Sequence, residues 1–452
     1  MNHADFTRGR IVLPLVRSVF PILFAMLIQS LYGAVDLLVV GRFSDAAGVS
    51  AVSIGSQLMM SVTMVIAQLS AGSAILLGQS VGSGRKEACG PIVGTTVFFF
   101  TLLGLVLAVL MQPLARPVTA ALNAPGEAAN QAVAYIRICG AGAVFIVFYN
   151  LLGSIFRGIG DAKMPLVTVL IAALFNVFGD LFFVAVLGMG ASGAAVATVL
   201  AQAFSVVLSY FIIRRRGLPF PFSPADISLN PKTLRRILRL GAPLALQDLL
   251  VSLSFLIILA IVNRLGVIAS AGTGVAEKLC GFIMLLPSAF SQAMSSFVAQ
   301  NYGAGRMDRA FRALGCGIAL SFACSLMLGY AAFFHGAAMS SLFSTDAAVC
   351  AASAEYLKAY GIDCLLTSFL FCLIGFISGC SRTQFVMVQG IIGAFCVRVP
   401  VSCLMSHIQP VSLFRIGLAT PCSTVVQIAL CLICFMRMKR RLGLNFSEEI
   451  SA

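Results

Sequence analysis

The stretch GQSVGSGR at residues 78–85 recurs as AQNYGAGR at residues 299–306. Gln79, Gly82, Gly84 and Arg85 thereby meet Gln300, Gly303, Gly305 and Arg306 at one constant offset. The same offset carries Tyr135 and Gly140 onto Tyr356 and Gly361, and Gly158 onto Gly379. One residue more carries Pro21 onto Pro243 and Arg42 onto Arg264. A register held over so much of the chain is an internal repeat, so the expected fold is two copies of one unit.

Hydropathy says what the unit is. Of the 452 residues, 60% are hydrophobic and 10% charged, whereas a soluble domain carries about 25% charged residues. Apolar segments pass the roughly 18 residues that mark a transmembrane helix, and they recur along the whole length. Twelve spans are predicted, near 12–40, 49–78, 91–112, 129–156, 163–187, 190–214, 235–262, 270–298, 308–334, 348–378, 384–406 and 412–437. The expected fold is an all-α polytopic membrane protein, its twelve transmembrane helices in two six-helix lobes. An even number of spans separates the copies, so both have the same orientation. Parallel repeats of this kind imply a pseudo-two-fold axis along the membrane normal and a binding site between the halves, a transporter design. The 41 glycines suit close helix approach. The longest polar break, RRRGLPFPFSPADISLNPKTLRR at 214–236, is rich in Pro and charge. It divides an N-terminal lobe, 1–217, from a C-terminal lobe, 235–441, through a cytoplasmic linker, 218–234; a cytoplasmic tail, 442–452, follows.

The net charge of +14 invites a nucleic-acid partner, and its placement argues against one. About twenty-two of the Lys and Arg residues fall in alternate loops and the two termini, including Arg85, Lys86, Arg157, Lys163, the run from Arg214 to Arg239, and Arg437 to Arg441. The intervening loops hold Arg42, Arg116, Arg264 and Arg415. Positive charge resists translocation, so the rich side is cytoplasmic, with both termini inside and the chain multi-pass in the plasma (inner) membrane. The first apolar stretch is too long for a cleavable signal and lacks a small-residue cleavage pattern. Of the 14 cysteines most lie beyond residue 275 inside apolar helices, where Cys acts as a small hydrophobe. Cys431 and Cys434 form a CxxC, with no second pair or histidine spaced to complete a zinc site, so no metal is expected.

The chemistry is sought where the bilayer penalises charge, by about 2.5–3.5 kcal/mol for an ionised side chain at mid-membrane on insertion scales. Asp36 lies near the end of span 1 with no Lys or Arg one turn away. Asp180 lies in LFNVFGDLFF, with Asn176 four residues before it on the same helix face, and the next span offers Thr198 and Gln202. Counting from the turn near residue 190, Asp180 and Thr198 lie about 12–15 Å deep, and Asp36 about 8–12 Å, at 1.5 Å per residue. Asp36, Asn176, Asp180 and Thr198 can therefore converge in the outer half of one lobe. Two carboxylates, an amide and a hydroxyl form an all-oxygen set that suits Na⁺, a proton shared between carboxylates, or both in competition. Tyr32 is one turn from Asp36 on the same side; Gln29, Gln202 and Pro21 complete the supporting residues. Taken singly, each of these polar residues is also compatible with ordinary interhelical bonding. At the repeat offset Asp36 falls on Ile258, Asn176 on Val397 and Asp180 on Val401, so the second copy lacks this set. It has its own candidates, Asp248, Glu277 beside Lys278, Asp363 and Arg398, whose mixed signs suit structural ion pairs or a second-lobe site.

These residues give the chain a family likeness. LYGAVDLLVVGR ending span 1, GQSVGSGRKE after span 2, FRGIGDAKMP between spans 4 and 5, and NVFGD in span 5 resemble the multidrug and toxic compound extrusion (MATE) transporters, over nearly the whole chain. The resemblance implies two six-helix lobes around a V-shaped cavity, alternating access, and efflux of organic cations or other amphiphiles against Na⁺ or H⁺ entry. It maps the family's first-lobe cation site onto Asp36, Asn176, Asp180 and Thr198, and the bend of its first helix onto Pro21. The pattern is closer to the DinF-like branch, which relies on the first lobe; Asp248 lies near, without aligning to, the span-7 acid used by another branch. In GIGDAKMP, Asp161 is also placed to cap a helix.

The expected function is a cation-coupled antiporter, a monomer in the lipid bilayer with a small amphiphilic substrate and no cofactor beyond H⁺ or Na⁺ as coupling ion. An enzyme is disfavoured because His3, His335 and His407 are scattered and unpaired. Nothing resembles a channel's filter loop. The alternative is a lipid-linked oligosaccharide flippase of the same superfamily, whose cavity needs several basic residues; here the spans hold chiefly Arg137, Lys278, Lys358 and Arg398.

Overall fold

The computed structural model describes residues 6–122 and 124–441. The expected tail, 442–452, and His3 lie outside the described residues. Among the described residues eleven helices are long and apolar enough to cross a membrane, and a bent pair of helices makes a twelfth span when taken as one. In the first half these are α1 (Val12–Phe43), α2 (Ala46–Gly82), α3 (Lys86–Ala121), α4 (Gly126–Ala141 with Ala143–Gly158), α5 (Lys163–Val186) and α6 (Gly190–Arg216). In the second they are α7 (Pro231–Asn263), α8 (Val267–Gly303), α9 (Met307–Phe334), α10 (Ala347–Gly379), α11 (Thr383–His407) and α12 (Leu413–Arg440). The chain is therefore a multi-pass membrane protein, all-helical among the described residues, with six spans in each half when the bent pair counts as one.

The two pieces of α4 meet at Gly142 with a bend of 56°, a break that hydropathy does not reveal. By contrast α1 runs unbroken through Pro21. Some helix starts carry side-chain caps. Asp45 accepts from Gly48 N at 2.7 Å, and Asp346 from Ala348 N at 2.8 Å. Asp161 Oδ1 accepts from Lys163 N and Met164 N at the start of α5, the capping role expected of GIGDAKMP. Large apolar side chains on the outer helix faces, such as Leu38, Val109, Phe178 and Met327, are exposed, as lipid-facing surfaces require.

The repeated motif has a job at each matched position. A Cβ on Gly82 would land on the carbonyl of Gln300, and a Cβ on Gly303 on the carbonyl of Gln79. The ends of α2 and α8 thus touch backbone to backbone, each glycine against its repeat-mate's glutamine. Two residues on, Gly84 and Gly305 turn the chain at φ +72° and +70°, a region that disfavours a side chain. Arg85 and Arg306 then lead into α3 and α9. Gln300 Nε2 also donates to Gly158 O at 3.1 Å. A second turn repeats hydrogen bond for hydrogen bond: Gly160 N to Arg157 O and Asp161 N to Phe156 O recur as Ser381 N to Ser378 O and Arg382 N to Ile377 O. Tyr135 and Tyr356, matched in the repeat, each sit in the buried apolar cluster of their own half.

The chain divides into two compact units. One holds Val16–Ala245, Ala299–Gly305 and the described residues before Arg10; the other holds Arg10–Leu15, Leu246–Val298 and the described residues from Arg306 on. The first unit therefore takes in the beginning of α7, because Gly72 on α2 and Gly241 on α7 pack with no room for a Cβ on either. The polar stretch between α6 and α7 is not a bare tether. Its single turn, Pro224–Asp226, packs on α3, and Thr95 Oγ1 donates to Ser228 O at 3.1 Å.

Candidate functional site

Three helices of the first unit bring the expected residues together. Asp36 stands on the last two turns of α1, Asn176 and Asp180 on α5, and Thr198 on α6. Close approach of α5 and α6 sets their register. A Cβ on Gly179 would sit 2.9 Å from that of Ala197, and one on Gly193 3.0 Å from the Phe183 carbonyl carbon. Small residues here let the backbones meet, as interhelical packing in lipid requires. Directly after Asp180 the helix widens into a π-helical stretch, Leu181–Val186, a local irregularity common at functional sites. The fifth span of the second half has one too, Ile392–Arg398, ending on the buried Arg398.

The four side chains meet. The Asp36 carboxyl faces Asp180, Asn176 and Thr198. Asp36, Asn176 and Asp180 are 4%, 1% and 0% exposed, on helices whose Val39, Val40, Val184 and Ala194 belong to a buried apolar cluster. Asn176 Nδ2 donates to Thr198 Oγ1 at 3.4 Å, and the Thr198 hydroxyl donates to Ala194 O at 3.0 Å. What remains is a group of buried acceptors without donors: Asp36 Oδ1, Asn176 Oδ1 and both carboxylate oxygens of Asp180. No Lys or Arg among the described residues is in contact with either carboxylate. Buried acceptors and negative charge without a partner are costly. A hard cation or a proton is the chemistry that relieves them.

The supporting residues extend this site in one direction. Tyr32 lies beside Gln29 and Gln202 as well as Asp36. Tyr32, Asn176, Thr198 and Gln202 line a small cavity together with Tyr149 of α4. Tyr149 escaped sequence reasoning because a tyrosine within FIVFYN looks like any other apolar-helix residue. Tyr135 and Cys139, also on α4, stand in the electrostatic surroundings of Asp36. Tyr135 had a signal, its match in the repeat. Pro21 lies four turns before Asp36 on α1, away from the four oxygen-bearing side chains.

The second half brings some of its candidates near one another without a direct ion pair. Asp363 is buried and accepts from Thr424 Oγ1 at 2.6 Å. Arg398 is buried, donates to Ser254 Oγ at 3.2 Å, and stacks on Phe255 at 4.3 Å. The two charges act on each other, and Tyr360 and Tyr356 also act on Arg398. Glu277 is half-buried with Oε1 unpartnered, and Lys278 is exposed. Asp248 is half-buried on α7. Among the described residues no group of three or more His, Cys, Asp or Glu could hold a metal ion, and Cys431 and Cys434 are free thiols.

Comparison with known proteins agrees with this architecture. The MatE family model matches residues 21–182 and again 243–404, one copy per half. The chain is similar to the probable multidrug resistance protein YoeA of Bacillus subtilis (strain 168), 27% identical over 426 residues, with 91% of this chain and 90% of that one covered. It is similar also to the multidrug export protein MepA of Staphylococcus aureus (strain NCTC 8325 / PS 47), 21% identical over 394 residues, with 86% of each covered. Among solved structures, the crystal structure of MATE in complex with MaD3S shares the fold, with a TM-score of 0.90, 22% identity and coverage of 97% of this chain and 99% of that one. With the family model matched over more than half its length, the chain belongs to the multidrug and toxic compound extrusion (MATE) family of membrane transporters.

Proposed function

We propose that the protein is a cation-coupled antiporter that exports organic cations or other amphiphilic drugs and metabolites by alternating access. One observation carries the coupling: two carboxylates and an amide oxygen buried together, with Asp36 Oδ1, Asn176 Oδ1 and both Asp180 oxygens lacking a hydrogen-bond partner. Such a set gains from a cation and loses from its departure, the property a transport cycle uses. H⁺ and Na⁺ are the two candidates, since oxygen ligands of this kind serve either. Asp36 and Asp180 supply the charge. Asn176 and Thr198 add neutral oxygens and hold the two helices in register. Tyr32, Gln29 and Gln202 line the approach, and Pro21 gives α1 a point lacking one backbone hydrogen bond, at which it can bend.

The substrate class follows from the relatives, which are named as multidrug resistance and multidrug export proteins. The lipid-linked oligosaccharide alternative gains no support, since Arg398 is engaged by Ser254 and Phe255, and no Lys–Arg cluster lies inside either half among the described residues. The basic loops favour an orientation with both termini cytoplasmic in the plasma membrane. Coupling runs through the first lobe, and the protein acts as a monomer without a resident cofactor.

Expression in an efflux-deficient host tests the reading. Cells carrying the wild-type protein expel a cationic dye, and Asp36→Asn at equal membrane abundance does not. Dye efflux by that variant at the wild-type rate contradicts the assignment.

A further inference from the structure

The cavity beside the carboxylates lies to one side of them along all three helices. Tyr32 is four residues before Asp36 on α1, Ala172 four before Asn176 on α5, and Gln202 four after Thr198 on α6. Each step is about 6 Å in the same direction, away from the end where α1 finishes and α6 starts. Asn176 and Thr198 belong to both levels, so the cavity opens directly off the carboxylate set.

Three of the residues that line it carry a buried polar atom without a partner. Asn176 Oδ1, Gln202 Oε1 and the Tyr149 hydroxyl have no hydrogen-bond partner in the protein. Asn176 and Gln202 are 1% and 8% exposed, so bulk water does not serve them. The space takes about one water-sized particle, which admits a water or a small ion and excludes a drug. Beyond Tyr149, at the far end of α4, comes Arg157, whose guanidinium acts on the Tyr149 phenol. Arg157 Nη2 is held by Ser154 Oγ at 2.8 Å, which in turn shares a hydrogen bond of 2.6 Å with Ser70 Oγ. Neutral oxygens therefore stand between two carboxylates on one side and a fixed cation on the other.

We infer that this cavity is a second station for the coupling ion, through which it passes between the Asp36–Asp180 pair and the Arg157 end of the lobe. The station rests on the reading above that the pair exchanges a cation. Carbonyl and hydroxyl oxygens hold a cation less firmly than carboxylates, which suits a step on a path rather than a resting place. Arg157 sets the far limit, because a guanidinium repels a cation until water screens it.

Tyr149→Phe is the decisive variant. Its hydroxyl makes no hydrogen bond within the protein, so the phenyl ring keeps the packing and only the station loses an oxygen. Gln202→Met is the second. Wild type, both variants and Asp36→Asn are reconstituted in liposomes; sodium-22 exchange and dye-reported proton flux are followed, with the ion whose flux Asp36→Asn abolishes taken as the probe. Both station variants keep the concentration dependence within about twofold and exchange that ion about tenfold more slowly, as expected for a kinetic step. Tyr149→Phe exchanging at the wild-type rate, or affinity and rate falling together, overturns the station while leaving the carboxylate site intact. Ion exchange surviving in Asp36→Asn overturns the underlying reading as well.

Discussion

Asp36 was visible in the sequence because a carboxylate costs so much in an apolar helix that it demands an account. Asn176, Asp180 and Thr198 were visible for a related reason: helix rise alone places them at a common depth. Hydrogen-bond polarity was not legible. That Thr198 donates to Ala194 O and Asn176 to Thr198, while Asp36 Oδ1, Asn176 Oδ1 and both Asp180 oxygens stay without a partner, depends on side-chain rotamers. Thr198→Val tests this arrangement. It removes one oxygen and leaves Asn176 Nδ2 without its acceptor, at a cost of about 1–3 kcal/mol. The ion concentration for half-maximal efflux should rise by roughly tenfold, about 1.4 kcal/mol. In the second half Thr424→Val deprives buried Asp363 of its donor. That variant should lower the thermal midpoint of the purified protein and leave the ion dependence of efflux unchanged.

At the scale of elements, the spans themselves were legible because a bilayer enforces length and hydropathy. The bend of α4 at Gly142 and the π-helical stretches after Asp180 and before Arg398 were not, since their sequences keep the hydropathy of straight helices. The motif glycines could be aligned from sequence, but their reasons differ and needed coordinates: contact for Gly82 and Gly303, backbone conformation for Gly84 and Gly305. Gly179 belongs to the first kind. Gly179→Val pushes against Ala197 and parts α5 from α6, a strain of about 1–3 kcal/mol. Because this contact sets Asn176 against Thr198, the variant should insert normally yet lose ion-dependent efflux. Membrane abundance and dye efflux, measured together, check it; full efflux with normal abundance would mean that the site does not depend on this contact.

For the whole molecule, the repeat predicted two like-oriented halves, and the family model matches once in each, at 21–182 and 243–404. Duplication kept the turns and packing glycines while the polar interiors diverged. Ile258, Val397 and Val401 stand where the first half has Asp36, Asn176 and Asp180. The second half instead buries Asp363 with Thr424 and Arg398 with Ser254. The proposal that charge exchange is concentrated in the first half is the central claim. Reconstituted protein under Na⁺ and pH gradients, imposed one at a time, tests it most directly, with uptake of a cationic dye as readout. Wild type should respond to at least one gradient, Asp36→Asn to neither, and Asp363→Asn to the same gradient as wild type. Gradient-driven uptake that survives Asp36→Asn, or that vanishes in Asp363→Asn while the protein remains folded, would contradict the account.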